Sequence, residues 1–465
     1  MINYNRQYTN NLSEILNRIN YVFVLKNIRG SSDFFDPWYN FDMMEKLLNT
    51  LDIRYKNAFR LLYLGQRVPY RDLVEELSEE QIDSMIKAKI WIMDSGYVKT
   101  NNLVVLVYEG LKILTEINPW YSTCIKNNTD VYIGIDSLRL AENIHFKKDA
   151  IVLDLCSGTG IQGIIAARSA QKVVSVEINE KAASVTQFNI ALNGLENIIE
   201  LRKGNLYDVL DDEKFDYIYA NPPFIPMISD VNYPICGAGG EDGLMILNNI
   251  FERLNIYLKV GGEAIVFCQC LGDEKKIFFN EKVKDLCERN NQDVLCLMQD
   301  RIPLEYQLRT LTSLTKLFNA DFDESNFERK MSKIYNKLNA KYLYSILYQI
   351  KQKQNGGGEL SLLQFESKWD ANSHAKENKA VNIVTDNESY VISDLSMKRI
   401  GYIDQEAFDI YSLLKNDKSV SDITNELYDK YKQKSKYSRF GKPSFLCAVL
   451  DNCLRMEQLG LIHRV

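Results

Sequence analysis

Ala150-Ile-Val-Leu-Asp154-Leu-Cys156-Ser-Gly158-Thr-Gly160-Ile-Gln-Gly163 decides the fold. A short apolar run closes on an acid, a glycine turn follows, and the small-residue run 164–169 predicts a helix. Gly158 and Gly160 let backbone approach a ligand closely, and Gly163 lets the helix pack against the strand. A second predicted strand, Lys172 to Val176, ends in Glu177. That acid lies about twenty positions beyond Gly158, where a carboxylate commonly takes a ribose hydroxyl pair. A dinucleotide is the obvious rival ligand for such a turn. Asp154 tilts the reading away from a pyrophosphate, because a carboxylate there can meet a cationic amino-acid moiety.

Downstream, the apolar run Phe215 to Ala220 predicts a third strand. It opens directly into Asn221-Pro222-Pro223-Phe224. An ordinary proline turn is the plain alternative, but the position after a glycine loop gives this one a chemical use. A planar NH2 must be held still while its nitrogen attacks an electrophilic methyl group. The Asn221 carbonyl and the Pro222 backbone carbonyl can accept both N–H bonds, and the Phe224 ring can cover the plane. Each proline removes a donor, so the turn presents acceptors. Such a turn has no role in hydride transfer.

On these residues the chain resembles class I S-adenosylmethionine methyltransferases of the N-methylating branch. The resemblance implies that Asp154, Gly158, Gly160 and Glu177 hold the methionine and ribose parts of S-adenosylmethionine, with S-adenosylhomocysteine as product. It implies further that Asp136, Cys156, Gly163, Ile178 and Asn221 line the cofactor and that Asn205 and Leu206 flank the adenine. Asn205 stands where the family usually has Asp, so its contact would lack charge. Val131-Tyr-Ile-Gly-Ile-Asp136-Ser137-Leu, the Asn-Pro-Pro-Phe turn and Gly239-Gly-Glu-Asp-Gly-Leu244 narrow the likeness. Together they resemble the protein-(glutamine-N5) methyltransferases over roughly residues 130–300, with Phe224 where relatives often carry Tyr. The catalytic set implied is Asn221, Pro222 and Phe224.

Composition is that of a packed enzyme. The chain has 465 residues, 46% hydrophobic and 25% charged, with net charge −6. An acidic balance weighs against an electrostatic nucleic-acid binder. The nine cysteines form no C-x-x-C and read as reduced core thiols, and the three histidines form no metal pattern. No apolar run reaches membrane length and no signal-peptide pattern opens the chain, so a cytoplasmic enzyme is expected, with no metal and no membrane.

The fold class expected is α/β. A Rossmann-like class I methyltransferase sheet over 129–370 would follow a helical, winged-helix-like N-terminal domain over 1–128. In the latter, helices are predicted over 12–28, 41–51, 55–64, 69–77 and 79–94, and a hairpin around Asn101-Asn102. Phe34, Phe35, Trp38 and Tyr39 read as core or interface. A polar insertion, 302–340, should sit on the active-site rim as a lid or substrate-selecting element. Asn355-Gly-Gly-Gly358 predicts a hairpin between strands 342–351 and 359–365.

Residues 371–380 read as a linker. Beyond them, three strands (381–385, 390–393, 398–403) and three helices (405–414, 420–431, 444–459) predict a small β3α3, winged-helix-like domain over 381–465. Ile403-Asp-Gln-Glu-Ala407-Phe-Asp-Ile410, Ser419-Val-Ser-Asp-Ile423 and the run Leu446 to Leu461 resemble PqqD-like domains, which recognise leader peptides of ribosomally made, modified peptides. The partner implied is a precursor peptide added to edge strand 398–403, with the six cations between Lys430 and Lys442 drawing an acidic leader. The function expected is therefore leader-guided N-methylation of a peptide, an amide nitrogen first. The alternatives are an N-methyltransferase of a translation protein or nucleic-acid base, and a peptide-binding scaffold without catalysis.

Overall fold

A computed structural model gives the structure of the protein over residues 2–29, 45, 48–49, 54–118, 129–145, 147–364, 369, 371–386, 389–394, 399–458 and 460–465. The aromatic cluster at 34–39, most of the helix predicted over 41–51, and Lys398 lie outside the described residues. The chain divides into two compact units, one formed by Met1–Ile19, Asn57–Asn118 and Ile125–Glu366, the other by Asn20–Lys56, Pro119–Cys124 and Ser367–Val465.

Helix α1 (Arg6–Arg18) is capped by the Asn5 side chain. Asn20 takes a φ of 50°, so the single helix predicted over 12–28 breaks into α1 and α2 (Tyr21–Arg29). After α3 (Lys56–Leu62), β1 (Val68–Pro69) and α4 (Tyr70–Leu73), a capping box of Ser78 and Gln81 starts α5 (Glu79–Lys87). The helix predicted to run on to 94 stops there and gives way to β2 (Trp91–Asp94). Strand β3 (Tyr97–Thr100) pairs with both β1 and β2. The hairpin predicted around Asn101-Asn102 does not form. Ser95-Gly96 turns β2 into β3, and Glu109-Gly110 turns β4 (Leu103–Tyr108) into β5 (Leu111–Glu116). All four turn residues have positive φ, the geometry that matches strand twist.

The main sheet follows α6 (Ile135–Ala141). In chain order its parts are β6 (Ile151–Leu155), α7 (Ile161–Ala166), β7 (Lys172–Glu177), α8 (Glu180–Leu192), β8 (Ile199–Lys203) and β9 (Phe215–Ala220). Then come α9 (Met245–Tyr257), β10 (Leu258–Gly272), α10 (Phe279–Asn290), β11 (Gln292–Pro303), α11 (Leu304–Phe318), α12 (Glu324–Lys337), β12 (Tyr342–Gln352) and β13 (Leu360–Gln364). The strand order is β13-β11-β12-β10-β9-β6-β7-β8. Only β12 runs against its two neighbours, β10 and β11. The winding reverses between β6 and β9, and a crevice outside their carboxyl ends is where such sheets bind ligands.

The hairpin predicted at Asn355-Gly-Gly-Gly358 is a correction. Strands β12 and β13 are not paired; both flank β11, with β13 parallel to it. The glycines carry the chain across the start of β11. A Cβ on Gly358 would stand 2.0 Å from the Gln292 carbonyl oxygen, so only glycine permits that crossing. Because β11 runs parallel to β10, the α11–α12 insertion leaves from the same end of the sheet as the crevice.

In the second unit, β14 (Ala375–Glu377), within the stretch expected as a linker, pairs with β18 (Ile462–Arg464). Strands β15 (Val381–Asp386), β16 (Ser389–Asp394) and β17 (Arg399–Ile403) form a separate antiparallel sheet with β15 and β17 as its edges. Helices α13 (Gln405–Leu414) and α14 (Val420–Tyr431) span the residues the periodicity predicts. Helix α15 (Ser435–Gln458) begins earlier than predicted and breaks at Gly441. The basic stretch is therefore largely helical. Its first three cations face acids: Lys430 pairs with Asp409, Lys432 with Asp429 and Lys434 with Glu406. No helix among the described residues is long and apolar enough to cross a membrane.

Candidate active site

The glycine turn is braced from below. Asp154, at the end of β6, is 1% exposed. Its Oδ2 accepts from the Gly163 N–H at 3.1 Å and the Ser175 hydroxyl at 3.3 Å. Burial pushes its carboxyl up to about 7, against the pull of those two bonds. The carboxylate expected to meet a cationic moiety thus anchors α7 to the strands through this oxygen. A Cβ on Gly163 would lie 2.6 Å from Ser175 Oγ, so the anchor requires glycine.

Cys156, Gly158 and Gly160 take φ of 58°, 58° and 81°. A Cβ on Gly160 would lie 2.8 Å from Thr186 Cγ2, whereas one on Gly158 meets nothing closer than 3.9 Å. The face of Gly158 is open to a ligand. Two residues the sequence reading missed hold the turn from α8: Thr186 donates to the Gly158 carbonyl at 2.8 Å, and Asn189 to the Thr159 carbonyl at 2.9 Å. Their spacing on one helix face was the available signal. Asn189 also accepts from the Leu114 N–H and donates to the Leu114 carbonyl, tying β5 to the turn.

Glu177 accepts from the Gly158 N–H through Oε2 and the Asn179 N–H through Oε1, both at 2.8 Å. Burial raises its pKa, offset in part by those bonds. Each oxygen keeps a lone pair for a ribose hydroxyl. The adjoining Ile178 is 55% exposed. Leu206, like Cys156, is a non-glycine residue at positive φ, and such strain collects at functional sites. Asn205 donates to Asp208 through Nδ2 at 3.1 Å, which leaves its amide oxygen free of that bond.

At the end of β9, Asn221 is turned by its neighbours. Its Nδ2 donates to Asp136 Oδ2 at 2.7 Å and to Ser137 Oγ at 3.2 Å. That leaves Oδ1 buried with no partner. An unsatisfied buried amide oxygen is costly, and at a cleft it marks where a donor belongs. Asp136, expected on the cofactor, also orients Asn221 through its Oδ2. Pro222 is buried, and Phe224 sets its ring edge-on to Phe267 at 5.8 Å. The Gly239–Gly243 turn closes over this motif. A Cβ on Gly243 would stand 2.3 Å from the Phe224 carbonyl oxygen, and one on Gly239 2.8 Å from the Phe224 backbone.

Cys236 is solvent-exposed. Surrounding atoms, and then the charges of Asp130, Asp136, Glu116 and Glu177, hold its thiol above the usual range. Among the described residues no group of acids, cysteines and histidines could hold a metal.

The open face of Gly158, the spare acceptor capacity of Glu177 and the orphaned Asn221 oxygen fit S-adenosylmethionine beside an N–H donor. Residues 132–286 match the family described as methyltransferase small domain. A Methanocaldococcus jannaschii protein named for N5-glutamine methyl transfer is 33% identical over 148 residues, 30% of this chain and 73% of the relative. A ribosomal protein uL3 glutamine methyltransferase of Bordetella pertussis is 31% identical over 124 residues, 24% of this chain and 42% of the relative. The chain thus spans less than half of that relative. The structure of a tRNA m1G37 methyltransferase of M. jannaschii aligns with a TM-score of 0.33 at 15% identity, covering 55% of this chain and 59% of that one.

Fold, turn and relatives define an S-adenosylmethionine-dependent methyltransferase of class I. This chain belongs to the methyltransferase small domain family.

Proposed function

We propose that this protein methylates a nitrogen of a polypeptide, a side-chain amide first, at Asn221. The observation that carries the reading is the Asn221 Oδ1, buried and unpartnered while its Nδ2 is held by Asp136 and Ser137. When bound, S-adenosylmethionine supplies a methyl group already activated on sulfonium. The residues that would hold it are Gly158, Gly160, Glu177, Ile178, Asn205 and Leu206, with Cys156 shaping the turn. Asp154 and Gly163 keep that turn in place. Asn221 accepts an N–H of the acceptor, fixes the plane of its nitrogen and stabilises the charge the nitrogen gains during attack. Phe224 and Pro222 shape the seat. The net charge of −6 disfavours the phosphates of a nucleic acid, so a polypeptide is preferred over a base.

The finer reading is a leader-guided modification of a ribosomally made precursor. What supports it is the second unit, a three-stranded sheet with β17 on an edge, beside the PqqD-like pattern in its sequence. A peptide added to β17 would raise the local acceptor concentration to about millimolar. A translation protein as acceptor is the second reading, favoured by relatives named for ribosomal protein and release factor methylation.

The test is calorimetric titration of the full-length protein and Asn221→Ala with S-adenosylmethionine, followed by intact-mass analysis of glutamine-containing peptides in the same tubes. Binding by both, with a methyl mass gained only with the wild type, is expected. Equal methyl gain by the variant would remove Asn221 from the chemistry, and no binding by the wild type would leave only the scaffold.

A further inference from the structure

The loop beyond Asn-Pro-Pro-Phe does not stand alone. Ile225, Met227 and Ile228 are buried in one cluster with Leu304 and Leu311 of α11 and Phe327, Met331 and Tyr335 of α12. The contact continues toward the exposed part of the loop. Asn319, capping α11, accepts the Asn232 N–H through Oδ1 at 2.9 Å and donates to the Asn232 carbonyl through Nδ2 at 2.9 Å. That Nδ2 also donates to the Thr315 carbonyl at 2.7 Å, which fixes the amide on its own helix. Tyr233 sets its ring edge-on to Phe318 at 5.8 Å, and Lys330 pairs with Asp230.

From that clamp the chain turns back at once. The Gly237 N–H bonds the Pro234 carbonyl at 3.0 Å, and the Ile225 N–H bonds the Gly237 carbonyl at 2.8 Å. The tip of this turn is Ile235, 50% exposed, and Cys236, the thiol that feels Asp136 and Glu177. The tip is therefore fixed at both ends: to the backbone of the Asn221 motif on one side and to the α11–α12 hairpin on the other. Five buried residues of α11 and α12 in a shared core make the hairpin a platform, which is the wrong construction for a lid that opens.

We propose that Asn319 is a positioning residue, and that the α11–α12 hairpin sets the acceptor-side wall by holding residues 230–238 so that Ile235 and Cys236 border the polypeptide's entry to Asn221. This rests on the reading of Asn221 as the acceptor site. A backbone amide paired in both directions is a register lock: one side chain replaces a strand neighbour and fixes both the height and the tilt of Asn232. Loss of the lock frees the turn without touching the glycine turn or Glu177.

The experiment uses the full-length protein, iodoacetamide as probe, peptide mass mapping to follow Cys236, and S-adenosylhomocysteine calorimetry. In Asn319→Ala, Cys236 leaves the surrounding atoms that desolvate its thiol and, with them, the nearby carboxylates, so its alkylation at pH 7 rises about fivefold and its rate–pH profile moves to lower pH. Cofactor affinity stays within about twofold, because the sites are separate. Asn319→Asp keeps the acceptor for the Asn232 N–H and restores part of the wild-type rate. Lys330→Ala, at an exposed ion pair, shifts alkylation in the same direction by less, and serves if the first variant does not fold. Unchanged Cys236 reactivity and pH profile in both Asn319→Ala and Lys330→Ala would overturn the proposal. Failure of the wild type to bind S-adenosylhomocysteine would instead count against the catalytic reading, while the labelling result would still decide this one.

Discussion

Asn221 shows what one residue owes to its neighbours. Its place after a strand was readable, because Pro222-Pro223 can follow a strand but cannot continue it. The orientation of its amide was not, since it depends on Asp136 and Ser137, far away in the chain. Removing the amide should cost about 10²–10³ in methyl transfer, as for other preorganised polar groups. Cofactor affinity measured by calorimetry should be nearly unchanged. Asp136→Asn leaves a weaker, uncharged acceptor for Asn221 Nδ2. Transfer should fall about tenfold, the size of one good hydrogen bond, with cofactor binding again the control. A variant as active as the wild type would mean that Asp136 does not orient the amide.

Among elements, local signals succeeded where one segment decides its own state. Strand β9 and helices α13 and α14 follow periodicity over their whole length. The errors came where a partner decides. Asn355-Gly-Gly-Gly358 has hairpin chemistry, but β11 takes the place between β12 and β13. Asn101-Asn102 separates two hairpins because each strand found an earlier or later partner. The Gly239–Gly243 turn tests such packing directly. Gly243→Ala adds a side chain at φ 79° and 2.3 Å from the Phe224 carbonyl oxygen. We expect a loss of about 2 kcal/mol or more in urea unfolding, from left-handed strain plus overpacking. Activity should fall with it if Asn221 seats the acceptor, because Phe224 lies in the same turn.

At the scale of the whole molecule, Asp154 links the cofactor turn to stability. Its carboxyl moves from 3.8 to about 7 on folding, so it favours the folded state fully below its unfolded value. That contribution is lost as pH rises from about 4 toward 7, because the unfolded chain then binds fewer protons. Asp154→Asn should flatten the fall in stability over that window, by up to about 1.4 kcal/mol per pH unit. Denaturant midpoints between pH 4 and 7 measure it, and parallel slopes in the two proteins would sink the assignment. The second unit has its own check. If β17 takes a precursor peptide as an added strand, its outward amides should exchange more slowly with peptide bound, while those of β15 remain unchanged.

The sequence by itself determined the doubly wound sheet, the glycine turn and the position of the Asn-Pro-Pro-Phe motif. These follow from apolar period, from glycines whose backbone must approach something, and from prolines that end strands, all of which act within a few residues. Tertiary structure alone decided that Asp154 braces the turn from inside and that Asp136 aims Asn221. It also decided that Thr186 and Asn189 hold the glycine loop, and that Asn319 of the insertion pairs with the Asn232 backbone in both directions. Each depends on a hydrogen bond or a contact between distant segments, and the free energy of such contacts is not written in the local pattern of either partner.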